Sequence, residues 1–220
     1  MKITQKLSKL DKYPYLVVEG NIGSGKTSLV KLLSLHTNAH AFYEGFSENP
    51  FLPKFYSEPD KYAFPLELSF LAERYQQLKS KLNTRDLFHN NIISDYYFYK
   101  SLIFAKINLK EDEYLLYKKL FHIIHSKIPE PHLLVYLYSD VDRLKKNIIN
   151  RARPYEKDIS KVYLSKINKG YFDFLNQQDK FPVLVINVTS IDFVNKIEDL
   201  YKIITSINGT YKKGVHQIDL

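Results

Sequence analysis

Cysteine and tryptophan are absent from the 220 residues, and methionine occurs once. Without a thiol the chain has no disulfide, no thiolate metal site and no cysteine nucleophile. Glycine is scarce, at 7 residues. Beside the abundance of Lys, Asn, Ile and Tyr, this reads as compositional bias and not as a functional signal. No apolar run approaches the ~20 residues that a membrane span needs, and the polar opening from Met1 to Asp11 lacks the apolar stretch of a signal peptide. A soluble cytoplasmic protein with no membrane partner is the expectation. The formal net charge of +8 comes from 32 basic against 24 acidic residues, yet the basic residues are spread along the chain. That dispersal fits a solvated lysine-rich surface and no nucleic-acid partner. With 45% hydrophobic and 15% aromatic residues, the chain is long enough for one sizeable core. We expect one domain over 1–220, with a core at 14–207, a short arm at 1–13 and a loose tail at 208–220.

Five short runs read as buried strands: Tyr15–Glu19, Ala39–Glu44, Asn91–Asp95, Leu133–Tyr138 and Val183–Val188. They are apolar without alternation, as parallel strands covered on both faces are. Between them lie helical spacings at Thr27–Leu35, Phe64–Leu82, Tyr97–Lys106, Glu111–Lys127, Val141–Arg151, Ser160–Gln177 and Ile191–Ile207. Strands alternating with helices predict an α/β fold: a five-stranded, doubly wound parallel sheet with helices on both faces. Ligands in such sheets bind beyond the carboxyl ends of the strands.

The strongest motif is Gly20-Asn21-Ile22-Gly23-Ser24-Gly25-Lys26-Thr27. It matches G-x-x-x-x-G-K-[ST] at every fixed position, follows a predicted strand and opens a predicted helix. Glycines let backbone N–H groups turn inward around phosphates, and the helix N-terminus adds its positive end. Lys26 is placed for the β- and γ-phosphates, and the Thr27 hydroxyl for Mg²⁺.

Three weaker constellations accompany it. Glu44 and Asp95 each close a predicted strand at the same sheet edge, where phosphoryl transfer needs a base and a carboxylate beside Mg²⁺. Either alone is also what a turn or a helix cap shows. On the Phe64–Leu82 helix, Glu67, Leu71, Arg74 and Leu78 share one stripe with Phe70 beside it. An acid and a base on an apolar stripe suit a wall that orients a flat ligand, or a pair that reaches water at the core's edge. Arg151 and Arg153 flank Ala152 just before Pro154, suited to clamping a phosphoryl group or to completing a helix terminus.

Together these residues resemble the deoxynucleoside kinase family, and within it the bacterial deoxyguanosine kinases, from about Tyr15 to Phe193. The resemblance implies a P-loop kinase fold with an arginine-rich lid, ATP and Mg²⁺ as cofactors, and a homodimer built through the helices of Tyr97–Lys127. It gives Glu44 the role of the base that takes the 5′-hydroxyl proton. Lys26, Asp95 and Arg151 complete the catalytic set. Residues Gly20 through Thr27, Arg151, Arg153, Asp192 and Phe193 hold ATP, the last two against its adenine. Tyr56 and Glu156 hold the 3′-hydroxyl, Glu67, Phe70 and Arg74 the base, and Thr27 with Asp95 the metal. Three positions depart from the family pattern. Tyr96 stands where most members have Arg after the acid, though bacterial deoxyguanosine kinases share it. Asn147 stands where many have another lid Arg, and Ala152 replaces the usual Gly.

The expected reaction is therefore phosphorylation of the 5′-hydroxyl of a purine deoxynucleoside by ATP. A carboxylate at Glu67 accepts from guanine N1–H and the 2-amino group together, while Arg74 donates to O6 or N7. Adenine would set an N1 lone pair against that charge, so deoxyguanosine is favoured. A deoxyadenosine or broad-specificity kinase, another P-loop small-molecule kinase and a nucleotide-binding regulatory protein are the alternatives. The last fits least, because the chain has no Asn-Lys-x-Asp motif.

Overall fold

The computed structural model describes residues 12–37, 39–45, 49–83, 91–126 and 128–220. Residues 1–11 of the expected arm at 1–13 and Lys127, where the predicted Glu111–Lys127 helix ends, lie outside them. The first strand, β1 (Tyr15–Gly20), is buried at all six residues, and β4 (Leu133–Tyr138) and β5 (Pro182–Asn187) are nearly as covered. Alternate side chains of these strands leave opposite faces, so both faces must be packed. On one face Leu16, Val18, Val135 and Ile186 meet Leu29 and Leu33 of α1 (Lys26–Thr37) and Ile203 and Ile207 of α8 (Ile197–Ile207). On the other, Tyr15, Val17, Tyr136 and Val183 meet α3 (Pro59–Asn83), α4 (Lys100–Asn108), α5 (Glu111–His125) and α7 (Lys161–Leu175) through Leu71, Ile103, Phe121 and Ile167.

The short strands β2 (His40–Phe42) and β3 (Ile92–Ser94) complete one side of the sheet. All strand pairs are parallel, in the order β2-β3-β1-β4-β5-β6. The expectation of five strands with a loose tail is corrected here. Residues Gly214–Asp219 form a sixth strand, β6, in register from Pro182↔Gly214 to Asn187↔Asp219. As an edge strand it is covered only in part. Val215 packs against one core layer and Ile218 against the other, while Gln217 and Asp219 stay exposed. A run this polar does not show the continuous apolar signature of an interior strand.

Further differences are local. Helix α3 begins at Pro59 and passes through Pro65, so it is longer than predicted, and α2 (Phe51–Ser57) precedes it unannounced. The predicted Val141–Arg151 helix is α6, N-capped by Asp140, whose side chain accepts from the Arg143 N–H. It ends at Ala152 with φ 55°, the left-handed conformation that costs a side-chain-bearing residue about 1–2 kcal/mol. Glycine at this position would be free of that cost. A 3₁₀ turn, Pro154–Glu156, follows, and Ser160 caps α7. Among the described residues no helix is long and apolar enough to cross a membrane.

Candidate active site

The loop between β1 and α1 has the form its glycines require. Gly23 and Gly25 have φ of 83° and 91°. A Cβ on Gly23 would lie 2.8 Å from the Leu144 carbonyl oxygen, and one on Gly25 2.7 Å from the Phe193 ring. Side chains brace the loop from behind. Asn147 Nδ2 donates to the Gly23 carbonyl at 2.8 Å, and Asn21 Nδ2 donates to the Leu164 carbonyl and to Asn168 Oδ1. Glu19, buried beneath the loop, accepts from the Tyr97 N–H, the Gly20 N–H and the Tyr171 hydroxyl. Lys26 Nζ donates to the Asn21 carbonyl at 2.8 Å. Burial and the nearby Lys100 pull its pKa down to about 8 against the support of Glu19, Glu44 and Asp95. An incoming phosphate would reverse that shift.

Both strand-end carboxylates reach the same place. Asp95, just past β3, accepts from the Thr27 hydroxyl at 2.6 Å through one oxygen and from the Glu44 N–H at 2.7 Å through the other. Burial raises its pKa, opposed by the Thr27 hydrogen bond. Glu44, two residues past β2, is gripped by two cations. Arg74 Nε and Nη2 bond Oε1 at 2.8 and 2.6 Å, and Lys100 Nζ bonds Oε2 at 2.6 Å. Burial alone would lift the Glu44 pKa, but Lys100 and Arg74 outweigh it and hold the carboxyl at about 2. Arg74 also donates to Ser101 Oγ at 2.8 Å. The acid–base stripe of α3 is therefore real, but the partner of Arg74 is Glu44 and not Glu67.

Around these groups opens a cavity of about 750 Å³, its mouth included. Glu67, Phe70 and Arg74 form one wall, with the guanidinium 4.8 Å above the Phe70 ring. Glu67 is 2% exposed. Its Oε1 accepts from Asn108 Nδ2 at 2.7 Å, and its Oε2 has no partner among the described residues. Burial pushes its pKa up to about 7 despite Arg74 and the Asn108 hydrogen bond. Such a carboxyl lies within reach of both protonation states at neutral pH. The opposite rim holds Tyr56 on α2, stacked on Tyr155 at 6.1 Å between ring centres. Burial and the charge of Glu156 push the Tyr56 hydroxyl well above its ordinary range. Glu156 is buried and pairs with Arg151 and, at 3.1 Å, with Arg153. The two lid arginines thus face the cavity on an internal acid.

Of the residues expected to hold ATP, Ile22, Lys26, Thr27, Arg151 and Arg153 line this cavity, and Gly20, Asn21, Gly23, Ser24, Gly25, Asp192 and Phe193 do not. Phe193 is buried in the core against Gly25, and Asp192 caps the turn before α8 by accepting from the Asn195 N–H. Lys100, Phe104 and Asn108 were missed, although they sit four apart on one face of α4 and all line the cavity. A lysine and an asparagine at that spacing on an apolar helix were the available signal. Tyr163 was missed too. Its hydroxyl donates to Asn108 Oδ1 at 2.9 Å and so fixes the amide that holds Glu67.

Comparison with known proteins agrees with this geometry. The deoxynucleoside kinase family model matches residues 16–211. A deoxyguanosine kinase of Bacillus subtilis (strain 168) is 34% identical over 86% of this chain and 94% of its own. A deoxyadenosine kinase of Lactobacillus acidophilus is 29% identical over 88% of this chain and 94% of its own. Among solved structures, the deoxyadenosine kinase from M. mycoides with bound dCTP superposes with a TM-score of 0.75 at 24% identity, covering 88% of this chain and 98% of that one. With a phosphate loop whose Thr27 meets the strand-end carboxylate of Asp95, and a family match over residues 16–211, the protein belongs to the deoxynucleoside kinase family.

Proposed function

We propose that this deoxynucleoside kinase transfers the γ-phosphoryl group of ATP to the 5′-hydroxyl of a purine deoxynucleoside and favours deoxyguanosine. The observation that carries the specificity is the unpartnered Glu67 Oε2 in the cavity wall. A buried carboxylate oxygen without a donor is costly unless a ligand supplies one. Guanine offers two donors side by side, and Asn108 already orients the other oxygen. Arg74 keeps N–H groups beyond those spent on Glu44 and Ser101 for an acceptor on the base. A specific observation also supports a second reading. With a pKa of about 7, a protonated Glu67 would donate to adenine N1, so deoxyadenosine becomes the better ligand at lower pH.

In this reading Glu44 accepts the 5′-hydroxyl proton while Lys26 and the loop N–H groups bind the phosphates. Arg151 and Arg153 exchange Glu156 for the transferring phosphoryl group, which leaves Glu156 and Tyr56 to the 3′-hydroxyl. The Thr27 hydroxyl and Asp95 carboxylate, already adjacent, are the hard oxygen donors that Mg²⁺ takes beside substrate phosphates. That ion would neutralise charge on the phosphates. A homodimer through α4 and α5 is supported by the exposure of Leu115, Leu116 and Ile123 on α5. Incubating the four deoxynucleosides and their ribose counterparts with Mg-ATP and scoring monophosphate tests the assignment. A pyrimidine preferred over both purines would overturn it.

A further inference from the structure

We propose that Lys100 is a positioning residue for phosphoryl transfer, the cation that aims the Glu44 carboxylate at the attacking hydroxyl. The proposal rests on the kinase reading and goes beyond it, since the sequence pattern assigned Lys100 nothing. At the first position of α4, Lys100 turns into the cavity and meets Glu44 Oε2 at 2.6 Å.

The geometry separates the work of the two cations on Glu44. Arg74 spends two N–H groups on Oε1, and among the described residues Lys100 alone holds Oε2. The Glu44 N–H is fixed by Asp95, so the side-chain torsions are the remaining freedom, and a bond on each oxygen removes it. Lys100 is itself confined, with 10% of its side chain exposed and its ammonium 5.6 Å from the Phe104 ring centre. A buried ammonium stays where a carboxylate is.

During transfer the 5′-oxygen forms its bond to the γ-phosphorus as the bond to the leaving ADP oxygen breaks. The hydroxyl proton passes to a Glu44 oxygen and from there to water.

Three variants test this: Lys100→Met, Lys100→Gln and Lys100→Arg, each first shown to melt cooperatively. In Lys100→Met and Lys100→Gln, kcat should fall roughly 10- to 100-fold with the nucleoside KM within about threefold. Lys100→Arg should restore kcat. Independently of activity, crystal structures should show the Glu44 carboxylate held through both oxygens in the wild type and turned from that orientation in Lys100→Met or, if this variant does not fold, in Lys100→Gln. An unmoved Glu44 carboxylate in the folded variants overturns the proposal whatever the substrate proves to be. A displaced carboxylate beside a wild type that phosphorylates no nucleoside overturns the kinase reading and not the Lys100–Glu44 contact. Unchanged kcat in an active enzyme, or a loss that Lys100→Arg does not restore, overturns the positioning role.

Discussion

Replacing Glu67 by Gln should make the unliganded protein more stable at pH 8 and shift its preference from guanine toward adenine. The carboxyl is 2% exposed, with one oxygen on Asn108 and the other without a partner. Burial raises its pKa from the ordinary 4.5 to about 7. At about 1.36 kcal/mol per pH unit, that difference corresponds to roughly 3 kcal/mol. The sign follows from linkage. A carboxyl with a raised folded pKa contributes its full stability below about 4.5, and that stability is lost as pH rises toward 7. At pH 8 the wild type therefore carries the whole cost of a buried charge, and the neutral amide does not.

In a chain of this length 1 kcal/mol moves Tm by about 2–4 °C. Glu67→Gln should thus melt roughly 6–12 °C higher than wild type at pH 8, and the gap should shrink to near zero by about pH 4. In the same variant guanine loses a charge-assisted bond and meets a donor opposite its own donors. Adenine gains a donor for N1. Rejection through unpaired buried polar groups is strong, so the ratio of kcat/KM should move toward deoxyadenosine by ~2–4 kcal/mol. Thermal melts at two pH values and a competition assay with both deoxynucleosides read the two effects separately. A Tm gap that does not change with pH would show that Glu67 ionises without strain. An unmoved substrate ratio would show that Glu67 does not read the base.

Glu44→Gln should lower kcat by roughly 10²–10⁴ with little change in nucleoside affinity; a rise in KM alone would move the base role to Asp95. Tyr56→Phe should reduce kcat/KM for a deoxynucleoside more than for its 2′,3′-dideoxy analogue, by about 0.5–1.5 kcal/mol, and equal losses would leave Tyr56 with packing alone. Ala152→Gly removes a left-handed strain of about 1–2 kcal/mol but frees the unfolded chain by about 0.4–1 kcal/mol. A net gain of roughly 0.5–1 kcal/mol, or about 1–4 °C in Tm, should appear in a thermal melt, and a loss would mean that φ 55° is not strained here.

What could be read from the sequence divides along the range of the interactions involved. The phosphate loop was legible because its chemistry is carried by adjacent residues: Gly23 and Gly25 need the backbone angles they adopt, and Lys26 starts the helix they open. The interior strands were legible because coverage on two faces forces continuous apolar runs such as Leu133–Tyr138. β6 was not, since an edge strand needs only Val215 and Ile218 to anchor it and shows no such run. The same division holds inside the site. Helical spacing placed Glu67 and Arg74 on one stripe of α3, and both line the cavity. The spacing could not say that Arg74 would turn to Glu44, 30 residues earlier. Lys100 and Asn108 were hidden for that reason too. Their meaning comes from Glu44, past β2 and 2.6 Å from Lys100, and from Glu67 on α3, 2.7 Å from Asn108, and only the tertiary packing of α4 brings either within reach. An isolated lysine on an apolar helix ordinarily reaches out to water. Here only 10% of the side chain is exposed and the ammonium lies 5.6 Å from the Phe104 ring centre, so its charge is answered inside, and Glu44 is the carboxylate in reach.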